Sequence, residues 1–70
     1  MNEQEKIGKI AEIIDQDGSA WTAETRLDDV GWDSMGMLGV IALARANGKV
    51  VTGAQVRTFE TVGDILTAAF

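Results

Sequence analysis

Apolar residues recur every three or four positions in three stretches of the chain, which is the pattern of amphipathic helices. The first stretch predicts a helix from Asn2 or Glu3 to about Asp15. Asn2 and Glu5 have the spacing of a capping box, and Gly18 is the expected left-handed residue after the helix end. The apolar stripe of this helix comprises Ile7, Ile10, Ile13 and Ile14.

Two further helices and one helical turn are predicted in the second half of the chain. A helix from Ser34 to about Asn47 ends at an Asn-Gly pair, which is a common stop signal. A short helical turn is expected near Gly53 to Arg57. The last helix starts at Thr61, where Thr61 and Asp64 have capping-box spacing. Its apolar face comprises Val62, Ile65, Leu66 and Ala69.

A long connection, residues 19–33, joins the first two helices. Loops of this length in small domains are normally functional or held in place by their own side chains. The side chains expected to anchor this loop to the core are Trp21, Leu27, Val30 and Trp32. The predicted fold is therefore an all-α, small four-helix bundle, with three main helices, one short helix and a long first loop.

The composition excludes several kinds of catalysis by the chain itself. The chain has neither Cys nor His. It therefore lacks a thiolate nucleophile, a zinc–thiolate site, the commonest general base and the commonest metal ligand. We expect neither an enzyme nor a metal site.

The chain is acidic, with a formal net charge of −5. Phosphate backbones bind clustered Lys and Arg, so nucleic acid is a poor partner. No apolar run is long enough to span a membrane, and the first residues, Met-Asn-Glu-Gln-Glu, lack the basic and apolar regions of a signal peptide. We expect a cytoplasmic monomer.

The residue with candidate chemistry is Ser34, at the amino end of the predicted second helix. Unpaired N–H groups and the helix dipole favour a phosphate ester at such a position. Nothing in the chain would activate the hydroxyl, so the base and any metal ion would come from another enzyme. The alternative is that Asp33 or Ser34 is simply the N-cap of the helix. The two interpretations are compatible.

The motif at 31–35, Gly-Trp-Asp-Ser-Met, resembles the Asp-Ser-Leu/Met attachment motif of acyl carrier proteins. Two other segments agree with this resemblance. Trp-Thr-Ala-Glu-Thr-Arg-Leu at 21–27 resembles the first loop of the family, and Thr-Val-Gly-Asp-Ile-Leu at 61–66 resembles the start of its last helix. The resemblance spans nearly the whole chain and implies a single acyl-carrier-like domain over residues 1–70.

In that family the serine that matches Ser34 receives 4′-phosphopantetheine from coenzyme A, transferred by a separate Mg²⁺-dependent phosphopantetheinyl transferase. The thiol of the arm holds acyl groups as thioesters, which suits a chain without Cys. The resemblance implies a carrier that passes intermediates between enzymes of fatty acid, polyketide or related specialised biosynthesis, such as a ligase or a ketosynthase. Asp33 matches the acidic neighbour of the serine and would cap the helix or contact the transferase.

The second helix departs from the family pattern in its charge. Fatty-acid carriers are expected to have acidic residues there, whereas residues 34–57 contain no acid. They contain three bases, Arg45, Lys49 and Arg57. An apolar docking patch for partner enzymes, comprising Met35, Met37 and Val40, is predicted instead, and Arg45 is a further partner-facing candidate. The alternative is that most of the apolar residues of this helix are core and the rest are scattered over the surface. Glycines at 36 and 39 each cost the helix about 1 kcal/mol relative to Ala, which indicates either the close approach of a partner backbone or of the arm, or sequence drift.

Two alternatives remain open. A D-alanyl carrier shares the sequence Asp-Ser-Met-Gly, although segment 61–66 fits the acyl type better. The other alternative belongs to a different class. It is a non-carrier helical protein-interaction module in which Ser34 is only a helix N-cap.

Overall fold

The computed structural model describes residues 1–70 and contains four α-helices and no β-strand. The prediction of an all-helical bundle with three main helices and one short helix is confirmed. No helix is both long and apolar enough to cross a membrane. A 3₁₀ turn lies in the first loop at Leu27–Asp29. The helices are α1 (Glu3–Ile13), α2 (Ser34–Ala46), α3 (Gly53–Val56) and α4 (Val62–Ala69).

The amino ends of the helices follow local capping chemistry. At α1 the Asn2 side chain accepts a hydrogen bond from the Glu5 N–H, which is one half of the predicted capping box. At α4 both halves are present between Thr61 and Asp64. At the short α3 the Thr52 side chain accepts a hydrogen bond from the Gln55 N–H. These side chains satisfy backbone donors that a helix leaves unpaired, and so they fix where each helix starts.

The carboxyl ends of α1 and α2 share one hydrogen-bonding motif. At α2 the Lys49 N–H donates to the Ala44 carbonyl, and Gly48 between them has a φ of +76°. At α1 the Gln16 N–H donates to the Ala11 carbonyl, and the left-handed residue is Asp15, with a φ of +55°. This is the Schellman pattern. The left-handed role predicted for Gly18 is therefore wrong, and α1 ends at Ile13 and not at Asp15.

Gly18 is required for a different reason, since it is buried against α1. A Cβ at this position would lie 2.8 Å from the Ala11 Cβ and 3.4 Å from a Trp21 ring carbon. The loop backbone therefore passes directly over α1, and only a residue without a side chain fits there.

The core lies where the four helices and the first loop meet. Side chains from every element contribute, and most of the predicted faces of α1 and α4 are buried, with Ile13 and Leu66 partly buried against the core. Ile14 was predicted as part of the α1 face, but it follows the end of the helix and is half-buried outside the core cluster. The buried members are Ile7, Ile10, Leu27, Val40, Ala44, Val51, Val56, Val62, Ile65 and Ala69.

The first loop is anchored as predicted. Leu27 is buried, and Trp21, Val30 and Trp32 are half-buried against the core. The loop backbone also bonds to the start of α4, because the N–H groups of Val62 and Gly63 donate to loop carbonyls. This second set of contacts fixes the loop that leads into α2.

The contact between α1 and α2 explains the glycines of α2. A Cβ at Gly36 would lie 2.8 Å from the Ile14 Cγ2, and a Cβ at Gly39 would overlap the Ile13 side chain. The two helices therefore approach closely along these glycines. The suggestion that a partner backbone or the arm occupies this space is wrong, because Ile13, Ile14 and the Trp32 ring already fill it.

Candidate functional site

Ser34 is the first residue of α2 and is exposed. The residue before it, Asp33, is the N-cap, and its Oδ1 accepts a hydrogen bond from the Gly36 N–H at 3.1 Å. Of the two residues predicted as possible caps, the structure therefore uses Asp33. The Ser34 hydroxyl has no part in this cap.

The segment before Ser34 is fixed by Leu27 and Gly31. The Leu27 carbonyl accepts hydrogen bonds from Val30 at 3.2 Å and from Trp32 at 3.4 Å. Gly31 lies inside this turn with a φ of +80°, a conformation that residues with a Cβ rarely adopt. Leu27 is buried, and its N–H donates a hydrogen bond to the Glu60 carbonyl. The turn is therefore fixed to the core, and so is the start of α2 that follows it.

Trp32 packs under the first turn of α2. A Cβ at Gly36 would lie 2.8 Å from two carbons of the Trp32 ring, so the ring is in direct contact with the helix backbone. The indole Nε1 is buried and has no hydrogen-bond partner in the protein. The contribution of Trp32 is therefore the packing of its ring, which holds the amino end of α2 against the core.

The charge of the chain changes at Ser34. Residues 1–33 contain nine acids and three bases, whereas residues 34–70 contain two acids and three bases. Asp28, Asp29 and Asp33 are exposed just before the helix. The N–H groups of Ser34 and Met35 have no acceptor within the chain. The hydroxyl therefore lies between an acidic loop and the partially positive end of a helix.

The predicted partner-facing residues differ in their exposure. Met35 is 69% exposed, and Arg45 is also exposed. Met37 is half-buried against the core. Val40 is fully buried, so its prediction as a docking residue is wrong. The sequence did not reveal this because α2 is apolar on nearly every side, so its pattern does not show which side faces the core.

Leu38 is a surface residue that the sequence analysis missed. It is 69% exposed. It lies one helical turn after Ser34, at i+4, and residues at that spacing share a face of the helix. The position of Leu38 four residues after Ser34 could have revealed its exposure, because a helix face that exposes Ser34 also exposes Leu38.

Three surface grooves are present, and none is lined by Ser34 or Asp33. One of about 420 Å³ lies between α1 and α2, and one of about 90 Å³ lies at the end of α2. The third, of about 440 Å³, lies between α3 and α4. No group of three or more Asp, Glu, His or Cys side chains is arranged to hold a metal ion.

Comparison with known proteins gives no match. No family model, no curated protein and no solved structure matches this chain. The functional assignment therefore depends on the motif and on the geometry around Ser34.

Proposed function

We propose that this chain is an acyl carrier protein whose Ser34 bears a 4′-phosphopantetheine arm. The observation that carries the proposal is the exposed Ser34 hydroxyl at the first position of α2, where Asp33 has taken over the capping role. A serine kept only to start the helix would be expected to form that cap.

The attachment step needs an accessible hydroxyl and an external base. The Ser34 Oγ forms a bond to the phosphorus next to the pantetheine of coenzyme A, the pyrophosphate P–O bond breaks, and adenosine 3′,5′-bisphosphate leaves. The hydroxyl proton passes to a base on the transferase, since this chain has no His. The chain itself supplies only the positioned nucleophile.

The backbone at the start of α2 fits a phosphodiester. The free N–H groups of Ser34 and Met35 are donors at a helix end that favours anions. The Asp33 carboxylate opposes a second negative charge nearby, but it is exposed to solvent, which screens the repulsion. The thiol at the end of the arm supplies the thioester chemistry that a chain without Cys lacks.

The experiment is intact-mass measurement after incubation with coenzyme A, Mg²⁺ and a broad-specificity phosphopantetheinyl transferase. We expect the mass to rise by one phosphopantetheine group in the unmodified chain. Ser34→Ala should abolish the increase. Ser19→Ala is the matched control, because Ser19 is the other serine and is also exposed in a loop.

A known carrier protein in the same reaction shows whether the transferase is active. No increase in mass under those conditions would contradict the proposal. An increase that persists in Ser34→Ala would also contradict it, because attachment would then be at another hydroxyl.

The second candidate function is a helical protein-interaction module that is never modified. The exposed apolar side chains of Met35 and Leu38 favour it, because both lie on one side of α2 and face solvent. The version of this alternative in which Ser34 is the N-cap is wrong, since Asp33 forms that cap. The mass measurement separates the two functions.

A further inference from the structure

Asn47 and Gly48, which end α2, form a residue pair prone to spontaneous deamidation. In this reaction the backbone nitrogen of the next residue attacks the Cγ of the asparagine, and a glycine obstructs the attack least because it has no side chain. Both residues are exposed, so water reaches them. The other asparagine, Asn2, precedes Glu3, whose side chain hinders the same attack.

The backbone conformation at the end of α2 opposes this attack. Ring closure requires the Gly48 nitrogen to lie on the same side of the Cα–C bond as the Asn47 Cβ. The ψ of Asn47 is 9°, which aligns the Gly48 nitrogen with the backbone nitrogen of Asn47 instead. The Gly48 N–H also donates to the Arg45 carbonyl at 3.0 Å, and the Lys49 N–H donates to the Ala44 carbonyl at 2.8 Å. The Schellman turn therefore holds the attacking nitrogen away from its target.

The Asn47 side chain is held by the carboxyl end of α4. Its Nδ2 donates to the Ala69 carbonyl at 2.8 Å, a bond between residues 22 positions apart. Ala69 is buried in the core, and Phe70 is half-buried against it. The Lys6 ammonium lies 5.6 Å from the centroid of the Phe70 ring, which adds a cation–π contact from α1. The side chain is therefore free to turn toward Gly48 only after the end of α4 has moved away.

We propose that Asn47 is a deamidation site that reacts only when the carboxyl end of α4 separates from α2. The Gly48 nitrogen then bonds to the Asn47 Cγ and the Cγ–Nδ2 bond breaks. The amide nitrogen leaves as ammonia, taking the proton of the Gly48 N–H. Water, the one co-reactant, opens the resulting succinimide at either carbonyl and gives aspartate or isoaspartate. The site needs no modification of Ser34 and does not depend on the proposed function.

The product cannot restore the contact between α2 and α4. A carboxylate at position 47 has no proton to donate to the Ala69 carbonyl, and it places a negative charge at the carboxyl end of a helix, where the dipole disfavours it. Isoaspartate also adds a methylene group to the main chain before Gly48, which disrupts the Schellman turn. Deamidation therefore makes a transient separation of α4 irreversible.

The test follows deamidation of the full chain in mildly alkaline buffer, with guanidinium chloride that unfolds it or with sodium chloride at the same concentration. Peptide mapping measures the replacement of NH₂ by OH in the tryptic fragments 46–49 and 1–6, which contain Asn47 and Asn2. We expect unfolding to speed the reaction of Asn47 by at least about tenfold. Equal rates in the two salts, or faster reaction of Asn2 than of Asn47 in the unfolded chain, would overturn the proposal.

Two half-buried phenylalanines separate local opening from global unfolding. Phe70→Ala should loosen the end of α4 and speed deamidation of the folded chain about tenfold. Phe59→Ala is the matched control, because it removes the same ring before the start of α4, and it should change the rate less than about twofold. Equal acceleration in both variants would overturn the proposal, since the reaction would then follow global unfolding.

Asn47→Asp tests the consequence without either phenylalanine variant. Amide hydrogen exchange at Ala68 and Ala69 should become about tenfold faster, whereas exchange at Gly63, at the start of α4, should stay within about twofold. Unchanged exchange at the end of α4 would overturn the claim that the Asn47 amide holds it. None of these measurements involves coenzyme A or the transferase, so a failure of phosphopantetheine attachment stays distinct from a failure here.

Discussion

The amino ends of α2 and α4 are built differently. At α4 the first three N–H groups are all used: Val62 and Gly63 donate to loop carbonyls, and Asp64 donates to the Thr61 hydroxyl. The Asp64 carboxylate returns to the N–H groups of Glu60 and Thr61 at 2.8 and 3.1 Å. At α2 one cap bond is present, from Gly36 to Asp33.

At α4 the N–H groups of the helix end are used within the protein, whereas at α2 two of them are available to a ligand. The α4 end is closed by the first loop and by its capping box, so its first three N–H groups are not available to a ligand. The α2 end keeps two free N–H groups and an exposed hydroxyl, and it is held in place from below by Trp32. A helix end that binds or carries a group must leave donors unpaired, and its position must then be fixed by packing.

The largest effect is expected from removing the packing under the open end. Trp32→Ala should lower the free energy of unfolding by about 3 kcal/mol, because the ring contacts the α2 backbone and the core. Trp32→Phe should cost less than about 1.5 kcal/mol, since it keeps a ring and removes a buried N–H without a partner. Urea unfolding measures both. Equal losses in the two variants would contradict this, because a phenyl ring would then supply none of the packing.

The next effect concerns the contact that closes the α4 end. A Cβ at Gly63 would lie 2.9 Å from the Ala23 carbonyl oxygen, so Gly63→Ala should lower stability by about 1–2 kcal/mol. Gly8→Ala in α1 is the control, because nothing lies within 4 Å of its added Cβ. That variant should gain about 0.5–1 kcal/mol from helix propensity. If both variants are stabilised to the same extent, the loop does not close on α4 as described.

The two caps themselves should differ in cost. Asp64→Ala loses two backbone bonds and should cost about 1–2 kcal/mol, whereas Asp33→Ala loses one and should cost about 1 kcal/mol. Thermal unfolding of the two variants side by side measures the difference. A larger loss for Asp33→Ala would contradict the view that α4 has the closed end.

The Asp64 cap also predicts a pH dependence. The N–H of Glu60, and then that of Thr61, lowers the pKa of the Asp64 carboxyl below its ordinary value. A carboxylate with a lowered pKa contributes stability above the pKa of the unfolded chain, about 3.9, and loses it as the pH falls through the folded value. Asp64→Asn should therefore flatten the stability profile below about pH 4. If this variant loses stability below about pH 4 as steeply as the unmodified chain, other carboxylates account for the loss.

The smallest stability effect is expected at Ser34. Ser34→Ala should change the free energy of unfolding by less than about 0.5 kcal/mol, because the residue is exposed and is not the cap. Denaturant unfolding compared with Asp33→Ala checks this. A loss at Ser34 equal to that at Asp33 would give the serine a structural role after all.

The features that the sequence predicted depend on neighbours along the chain. The capping box of Thr61 and Asp64 is decided within four residues, and so is the Asn47–Gly48 ending of α2. The features it missed depend on distant contacts. Gly18 is small because α1 passes beneath it, and Val40 is buried because the core sets the phase of α2.

The same division holds for the candidate site. The motif identified Ser34 and Asp33, but only the hydrogen bond from the Gly36 N–H to Asp33 shows which of them caps the helix. The exposed Leu38 and Val50 are likewise visible only once the core has been filled by other side chains.

The most direct test of the central claim is peptide mapping after the transferase reaction. Trypsin cleaves after Arg26 and Arg45, and the fragment 27–45 contains one hydroxyl-bearing residue, Ser34. We expect the phosphopantetheine mass on this fragment and on no other. An unmodified fragment 27–45, in a reaction where a known carrier protein is fully converted, would contradict the account.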